Sequence, residues 1–278
     1  MQKDVVVVIG VGGMGLAIAR RIGSGRAVML ADFNESTLEA AAAQLRVEGH
    51  DVTAERVDVA DHASVAKLAN AAAALGRVTH VAHTAGLSPV QAPIDAILHV
   101  DLLGVAYVLD EFQRVIAPGG AGVVIASMAG HMAAPSLPAE LQGALAATPT
   151  DQLLDLPFLA AGAVPNPGAA YSYAKRANQL RVARAAIAWG ERGARINSIS
   201  PGIISTPMGA EELAGESGQQ MRGMIAMSAA KRVGTPDDIA AAAAFLLDPQ
   251  QASFITGTDL LVDGGTVPAV FAAGGLGG

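Results

Sequence analysis

The sequence predicts a doubly wound α/β fold in one domain, and three observations carry that expectation. Short β-branched runs alternate with Ala-rich helical stretches nearly to the end of the chain. Several runs are apolar at successive positions, as strands are when helices cover both faces of a parallel sheet. The first run opens directly into a glycine-rich turn followed by a helix pattern.

Strands are expected at 4–9, 27–31, 52–57, 78–83, 122–126, 194–199 and 259–262, and helices near 13–23, 35–48, 62–74, 93–116, 170–189 and 235–247. Two segments interrupt the alternation. Residues 131–168 carry six prolines and a short helix pattern near 138–147, while 206–232 is rich in Met, Gly and Gln with one or two amphipathic pieces. Both follow strand ends on the edge where ligands sit in such sheets, so they are expected to be lids or substrate loops. The tail from Thr266, ending AAGGLGG, reads either as a subunit-contact arm or as a frayed end.

With 278 residues, 51% of them hydrophobic and 15% charged, the chain can bury a large core and suits a single domain over 1–278. A net charge of −7 without a Lys/Arg cluster excludes a protein that tracks a phosphate backbone. Absence of cysteine excludes disulfides and thiolate zinc sites. The apolar stretches are too short or interrupted for a membrane span, and MQKDVVVVIG does not resemble a secretion signal, so a cytoplasmic location is expected. His80 and His83, spaced i, i+3 on a strand, face opposite sides, and no metal site is expected.

Gly10-Val11-Gly12-Gly13-Met14-Gly15 fits G-x-G-x-x-G through Gly10, Gly12 and Gly15. The three glycines serve a tight turn, close approach of a pyrophosphate and close helix–strand packing, with helix N–H groups facing the phosphates. Asp32 closes the second strand 22 residues beyond the first glycine. An acid there accepts bonds from adenosine ribose hydroxyls and repels a 2′-phosphate. Phe33 and Asn34 supply no cation for such a phosphate, so NAD is expected rather than NADP. The other reading of this stretch is a helix cap, which Asn34 could supply. Asp58, in VDVAD, is placed to meet the adenine edge.

Taken together, VDVAD with Asp58, HTAG ending at Gly86, SMAG with Ser127, YSYAK, INSISPG with Pro201 and Gly202, RVGTPDDIA and SFITGTDLLVDGG occur in one order over essentially the full length. In this the chain resembles the short-chain dehydrogenase/reductase family, in its single-domain branch. The resemblance implies a seven-stranded parallel Rossmann sheet with NAD(P) along its C-terminal edge. It also implies hydride exchange with an alcohol or carbonyl, and a homotetramer or homodimer. Ser127, Tyr171 and Lys175 occupy the family's catalytic places, and Thr206 with the Ile204 backbone those around the nicotinamide carboxamide. Gly13, Met14, Phe33, Val59, Ala85, Gly86, Pro201 and Gly202 fall at cofactor contacts, and Asn197 at a structural position.

The chemistry of these residue types agrees. Tyr171 and Lys175, spaced i, i+4, share a helix face where an ammonium can stabilise a phenolate. A free tyrosine has a pKa of about 10, too high for a base near neutrality. Ser127 could hydrogen-bond the substrate oxygen, and Lys175 could reach ribose hydroxyls as well. Tyr173 is the alternative phenol, but it lies about 200° around the helix from Tyr171 and lacks a lysine four residues on. Ser127 alone would read as a strand-end turn residue.

Four features depart from the family pattern. The glycine turn is one residue short, and HTAG stands where N-N-A-G is common, which removes a bracing asparagine. Asp101, in HVDLLG, stands where an asparagine usually positions a water in a proton relay. It is expected to pair with Lys175 through solvent and to raise the pH optimum, the other reading being a solvated helix residue. Finally, 44 residues separate Ser127 from Tyr171, far more than is usual. Met132, Leu137, Leu141, Leu153, Leu154, Leu156 and Phe158 in that gap, with Met208, Met221, Met224 and Met227, either shape a pocket for a hydrophobic, steroid-like or bulky carbonyl substrate or bury against neighbours. The expected function is an NAD(H)-dependent oxidoreductase acting on a secondary alcohol or ketone. The alternative is a catalytically weak NAD-binding sensor or scaffold, and an epimerase is disfavoured because no residues remain for a substrate domain.

Overall fold

The computed structural model describes residues 2–90, 92–215 and 217–274. Seven strands form one parallel sheet: β1 (Asp4–Ile9), β2 (Ala27–Asp32), β3 (Asp51–Arg56), β4 (Arg77–His83), β5 (Ile116–Ile125), β6 (Arg195–Pro201) and β7 (Asp259–Val262). Their spatial order is β3-β2-β1-β4-β5-β6-β7, so the winding reverses between β1 and β4. The helices fall between them: α1 (Gly13–Ile22), α2 (Glu35–Val47), α3 (His62–Leu75), α4 (Ile94–Ile97), α5 (Gly104–Val115), α6 (Met128–Ala133), α7 (Ala139–Ala147), α8 (Pro167–Glu191), α9 (Pro207–Ala214), α10 (Gly218–Met227), α11 (Pro236–Leu247) and α12 (Thr266–Ala272).

Both faces of the sheet are buried, which is why β1 reads DVVVVI rather than alternating. Val5, Val7 and Ile9 join Phe112 and Trp189 on one face. Val6 and Val8 join Ile18, Leu30 and Leu246 on the other. The strand-end loops are thereby held by a packed core on both sides.

The expected helix at 93–116 is three pieces. A π-helical turn over Leu98–Leu103 separates α4 from α5. Its extra residue per turn rotates Asp101 inward, to 0% exposure. Strand β5 also starts at Ile116, six residues earlier than expected, and runs through Pro118 and two glycines. Helix α8 starts at Pro167, capped by the Asn166 side chain, which accepts from the Ala169 N–H at 2.9 Å.

Residues 131–168 contain α7 and three short 3₁₀ turns. Leu145, Leu153 and Leu159 bury against Ile97, Leu102, Ala170 and Ala174, so much of the segment's apolar content is core. Met132 instead joins Met128, Ile203, Met221 and Met224 under the lid helices α9 and α10. The tail forms α12, whose Val267 and Val270 pack into that same cluster. Residues 275–278 of the expected arm or frayed end lie outside the described residues. Among the described residues no helix is long and apolar enough to cross a membrane.

Candidate active site

At the winding reversal a cavity of about 610 Å³ opens along the C-terminal strand ends. Gly10, with φ +89°, adopts a backbone that favours glycine. A Cβ on Gly10 would lie 2.5 Å from the Ala85 nitrogen, and one on Gly15 would lie 1.9 Å from the Gly10 oxygen. The turn is thus a cradle that side chains would fill, and no side chain caps the first N–H groups of α1. These features fit the pyrophosphate of a dinucleotide. Asp32 fixes the turn: its Oδ2 accepts from Val11 N–H at 2.8 Å and its Oδ1 from Asn34 N–H at 2.9 Å. Asn34 caps α2 by accepting from Thr37 N–H at 3.0 Å, as the cap reading of this stretch expects.

Of the expected cofactor residues, Gly10, Gly12, Gly13, Met14, Gly15, Asp32, Phe33, Asp58, Val59, Ala85, Gly86 and Thr206 line the cavity. Gly202 and Ile204 line a second cavity of about 220 Å³, beside Ala230 and Asp263. Pro201, Tyr171 and Lys175 are not among the lining of either. Thr206 caps α9, its Oγ1 accepting from Gly209 N–H at 3.1 Å. Asn197 is fully buried and bonds the backbone of Ile255 and Thr258, bracing β6 against the approach to β7.

Two residues were not foreseen, Thr84 in the cavity lining and Arg56 beside the lining residue Phe33. Thr84 donates its hydroxyl to the Gly10 carbonyl at 2.7 Å. Arg56 lies opposite Asp32 in the parallel register and places its guanidinium 4.8 Å from the Phe33 ring centroid. It also lies 3.6 Å from Glu35. The expectation that no cation stands near Asp32 considered only the residues that follow it. The β2–β3 register is the signal that could have found Arg56.

Ser127 follows β5 and caps α6, its hydroxyl accepting from Ala129 N–H at 3.1 Å. Lys175 projects from α8 with Nζ 5.3 Å from the Tyr171 ring centroid. The same Nζ meets Asp101 Oδ1 at 2.9 Å and donates to the Ile125 carbonyl at 3.4 Å. Asp101 accepts from Leu87 N–H at 3.0 Å. The expected solvent-mediated pairing is therefore a direct buried ion pair, because the π-helical turn carries Asp101 into contact. The reading of Asp101 as a solvated helix residue fails for the same reason.

Burial pushes the Tyr171 phenol above its usual pKa; the Lys175 charge opposes this, Asp101 adds to it, and a hydrogen-bonding Ser127 hydroxyl lowers it again. Burial opposes the Lys175 charge, but Asp101 and Tyr171 outweigh it and hold the ammonium above the ordinary lysine range. Burial raises the Asp101 carboxyl, against the pull of Lys175 and Leu87. Behind this pair lies His83, which replaces the bracing asparagine. Burial, with the Lys175 charge, lowers its imidazole to about 3, and neither ring nitrogen has a partner among the described residues.

The 131–168 segment is tied to this centre. Gln142 on α7 accepts from Arg176 Nε at 2.8 Å, and Arg176 Nη1 donates to Gln179 Oε1 at 3.0 Å. Gln179 then donates to the Ser127 carbonyl at 3.3 Å and to Ser200 Oγ at 2.9 Å.

Comparison with known proteins agrees with this geometry. Residues 3–139 match the family model described as short chain dehydrogenase, and residues 146–267 match that of enoyl-(acyl carrier protein) reductase. A short-chain dehydrogenase/reductase of Alternaria brassicicola is 41% identical over 267 residues, covering 96% of this chain and 97% of that protein. The chain belongs to the short-chain dehydrogenase/reductase family. The meso-2,3-butanediol dehydrogenase of Serratia marcescens is 32% identical over 268 residues, covering 95% of this chain and 94% of its own. The structure of a 3-alpha-hydroxysteroid dehydrogenase from Pseudomonas sp. B-0831, complexed with NADH, superimposes with a TM-score of 0.77 at 25% identity, covering 97% of this chain and 98% of that one. As a member of this family the chain is an oxidoreductase for alcohol- and ketone-type substrates.

Proposed function

We propose that this oxidoreductase uses NAD(H) to interconvert a secondary alcohol and its ketone on a substrate with a sizeable apolar part. The observation that carries the reading is the buried Lys175–Asp101 pair beneath Tyr171. A sensor or scaffold has no use for a desolvated ammonium held under a tyrosine ring. Asp32 and the glycine cradle would hold the adenosine and pyrophosphate, and Thr206 with the Ile204 backbone the carboxamide end. A bound nicotinamide cofactor supplies the acceptor or donor of hydride.

The chain's own residues handle the proton. Ser127 donates to the substrate oxygen and orients it. Tyr171 takes the proton from that oxygen during oxidation, or returns it during reduction, at its phenolic oxygen. Lys175 stabilises the phenolate and Asp101 keeps Lys175 charged. The methionine-lined region under α9 and α10 would receive the apolar body of the substrate. The substrate's bulk agrees with the hydroxysteroid relative, and the 2′-hydroxyl end with Asp32. Exposed Ile187 and Phe254 are apolar side chains that a homo-oligomer would cover.

The test follows NADH absorbance with a panel of cyclic and steroidal secondary alcohols, offering NAD⁺ and NADP⁺ separately. Tyr171→Phe is expected to reduce kcat by at least about a hundredfold, the low end of a general acid–base contribution, with cofactor affinity retained. Retained cofactor binding with no turnover of any alcohol or ketone would overturn the reading in favour of a sensor. A preference for NADP⁺ would overturn the NAD assignment and point to Arg56 as the phosphate's partner.

A further inference from the structure

Helix α9 follows its cap Thr206, and both Thr206 and Met208 line the cavity. Glu212 stands four residues beyond Met208, hence on the same face of the helix. Its Oε1 accepts a hydrogen bond from the Ser88 hydroxyl. Ser88 is fully buried and follows Leu87, whose N–H binds Asp101. One carboxylate oxygen of the lid is thus anchored to the loop that carries the Asp101–Lys175 pair.

The other oxygen, Oε2, accepts nothing among the described residues, and no cation among them lies within ion-pair distance of the carboxylate. The Glu212 charge is also felt at the Tyr171 phenol, whose pKa it raises. Asp101 is paired with Lys175, whereas Glu212 has no ion-pair partner among the described residues. Glu212 itself is half-buried, and its neighbour Leu213 packs under the lid with Ile203, Met221 and Met224.

We propose that Glu212 determines substrate specificity: its free carboxylate oxygen accepts a hydrogen bond from a second hydroxyl on the substrate, near the carbinol presented to Tyr171. The inference rests on the alcohol–ketone reading and narrows it to diols and other hydroxyl-bearing alcohols with an apolar frame. Three physical points lead there. A half-buried carboxylate with one oxygen unpaired gains from an added O–H donor. It repels a substrate carboxylate or phosphate, so anionic alcohols are rejected. Ser88 already shows the chemistry it accepts, a neutral hydroxyl. A site built around a substrate hydroxyl discriminates against the analogue that lacks it, because the acceptor is then left unpaired.

The experiment measures kcat/KM of the full chain with NAD⁺ for four ring-matched probes: cyclohexanol, cyclohexane-1,2-diol, 2-aminocyclohexanol and 3-hydroxycyclohexanecarboxylate. The unsubstituted protein is expected to prefer the diol over cyclohexanol at least about tenfold and to disfavour the hydroxy acid. Glu212→Gln is expected to shrink the diol-to-cyclohexanol ratio about tenfold, and Glu212→Lys to invert the order of diol and hydroxy acid. Ratios unchanged in both variants, with turnover intact, overturn the inference and leave the alcohol–ketone reading standing. An amino alcohol preferred over the diol overturns the hydroxyl assignment in favour of a cationic group. Absence of turnover on every probe and on the wider alcohol panel overturns both readings together.

Discussion

Lys175 and Asp101 are charged groups with side chains only 5% and 0% exposed, and each depends on the other. Asp101→Leu would leave a buried ammonium unpaired and is expected to cost about 3–5 kcal/mol, read from the urea midpoint. Asp101→Asn is the more informative change, since an amide oxygen can still accept from Leu87 N–H. Burial is the largest cause of the raised Tyr171 pKa, but the Asp101 charge adds to it and Lys175 opposes it. With the carboxylate charge gone, and the phenolate's own charge still favouring the Lys175 ammonium against burial, the Tyr171 pKa falls. The acid limb of kcat/KM for alcohol oxidation should therefore move down by about one pH unit. A profile that stays in place would show that Asp101 does not act on the phenol.

At the scale of elements, the legible parts of the sequence were those in which every residue of a run agrees. Strands β1 and β2 are apolar but for one terminal Asp because both faces are covered, and their bounds, like those of β4, fall within a residue of expectation. The break at Leu98–Leu103 was not legible, because a π-helical turn inserts one residue and leaves the apolar pattern almost unchanged. That single residue decides whether Asp101 meets water or Lys175. Glu212 was missed for a related reason: an acid in AEELAG reads as an exposed helix face until Ser88 is brought to it by the fold. The 131–168 segment was read from its apolar content, whereas its link to the site is polar and runs Gln142–Arg176–Gln179–Ser127. Arg176→Met keeps an apolar stem like the aliphatic part of the arginine and removes two of those bonds. Amide hydrogen exchange in 139–147 should then accelerate while β1 and β4 stay protected, with a loss of about 1–2 kcal/mol in stability. Unchanged exchange in α7 would mean that Leu145 and Leu153 alone hold the segment.

For the whole molecule, the sheet concentrates its least ordinary residues in the central strand β4. His80 and His83 lie there at 8% and 1% exposure, paired in register with Ala121 and Val124 of β5. His80 Nδ1 contacts Thr79 Oγ1 at 2.9 Å, whereas His83 has no partner on either nitrogen among the described residues. Burial lowers their pKa values to about 4 and about 3, nearby cations adding to the effect. In the unfolded chain both return to about 6.5. Below that pH the unfolded state binds more protons than the folded one, so stability rises with pH across this window. Stability is fully present above about pH 6.5. It falls on acidification by about 1.4 kcal/mol per unit for each histidine, until the folded chain itself protonates near pH 4 at His80 and near pH 3 at His83. Carboxylates held below their usual range, such as Asp238 beside Arg232, contribute mainly at still lower pH. His83→Leu removes one of the two histidine shares and an unsatisfied imidazole together. Urea unfolding of the two proteins at pH 6.5, 5.5 and 4.5 should therefore show a slope against pH reduced by roughly half in the variant. Parallel slopes would mean that His83 is protonated or solvated in the folded chain, and that the site behind Lys175 is wetter than its packing implies.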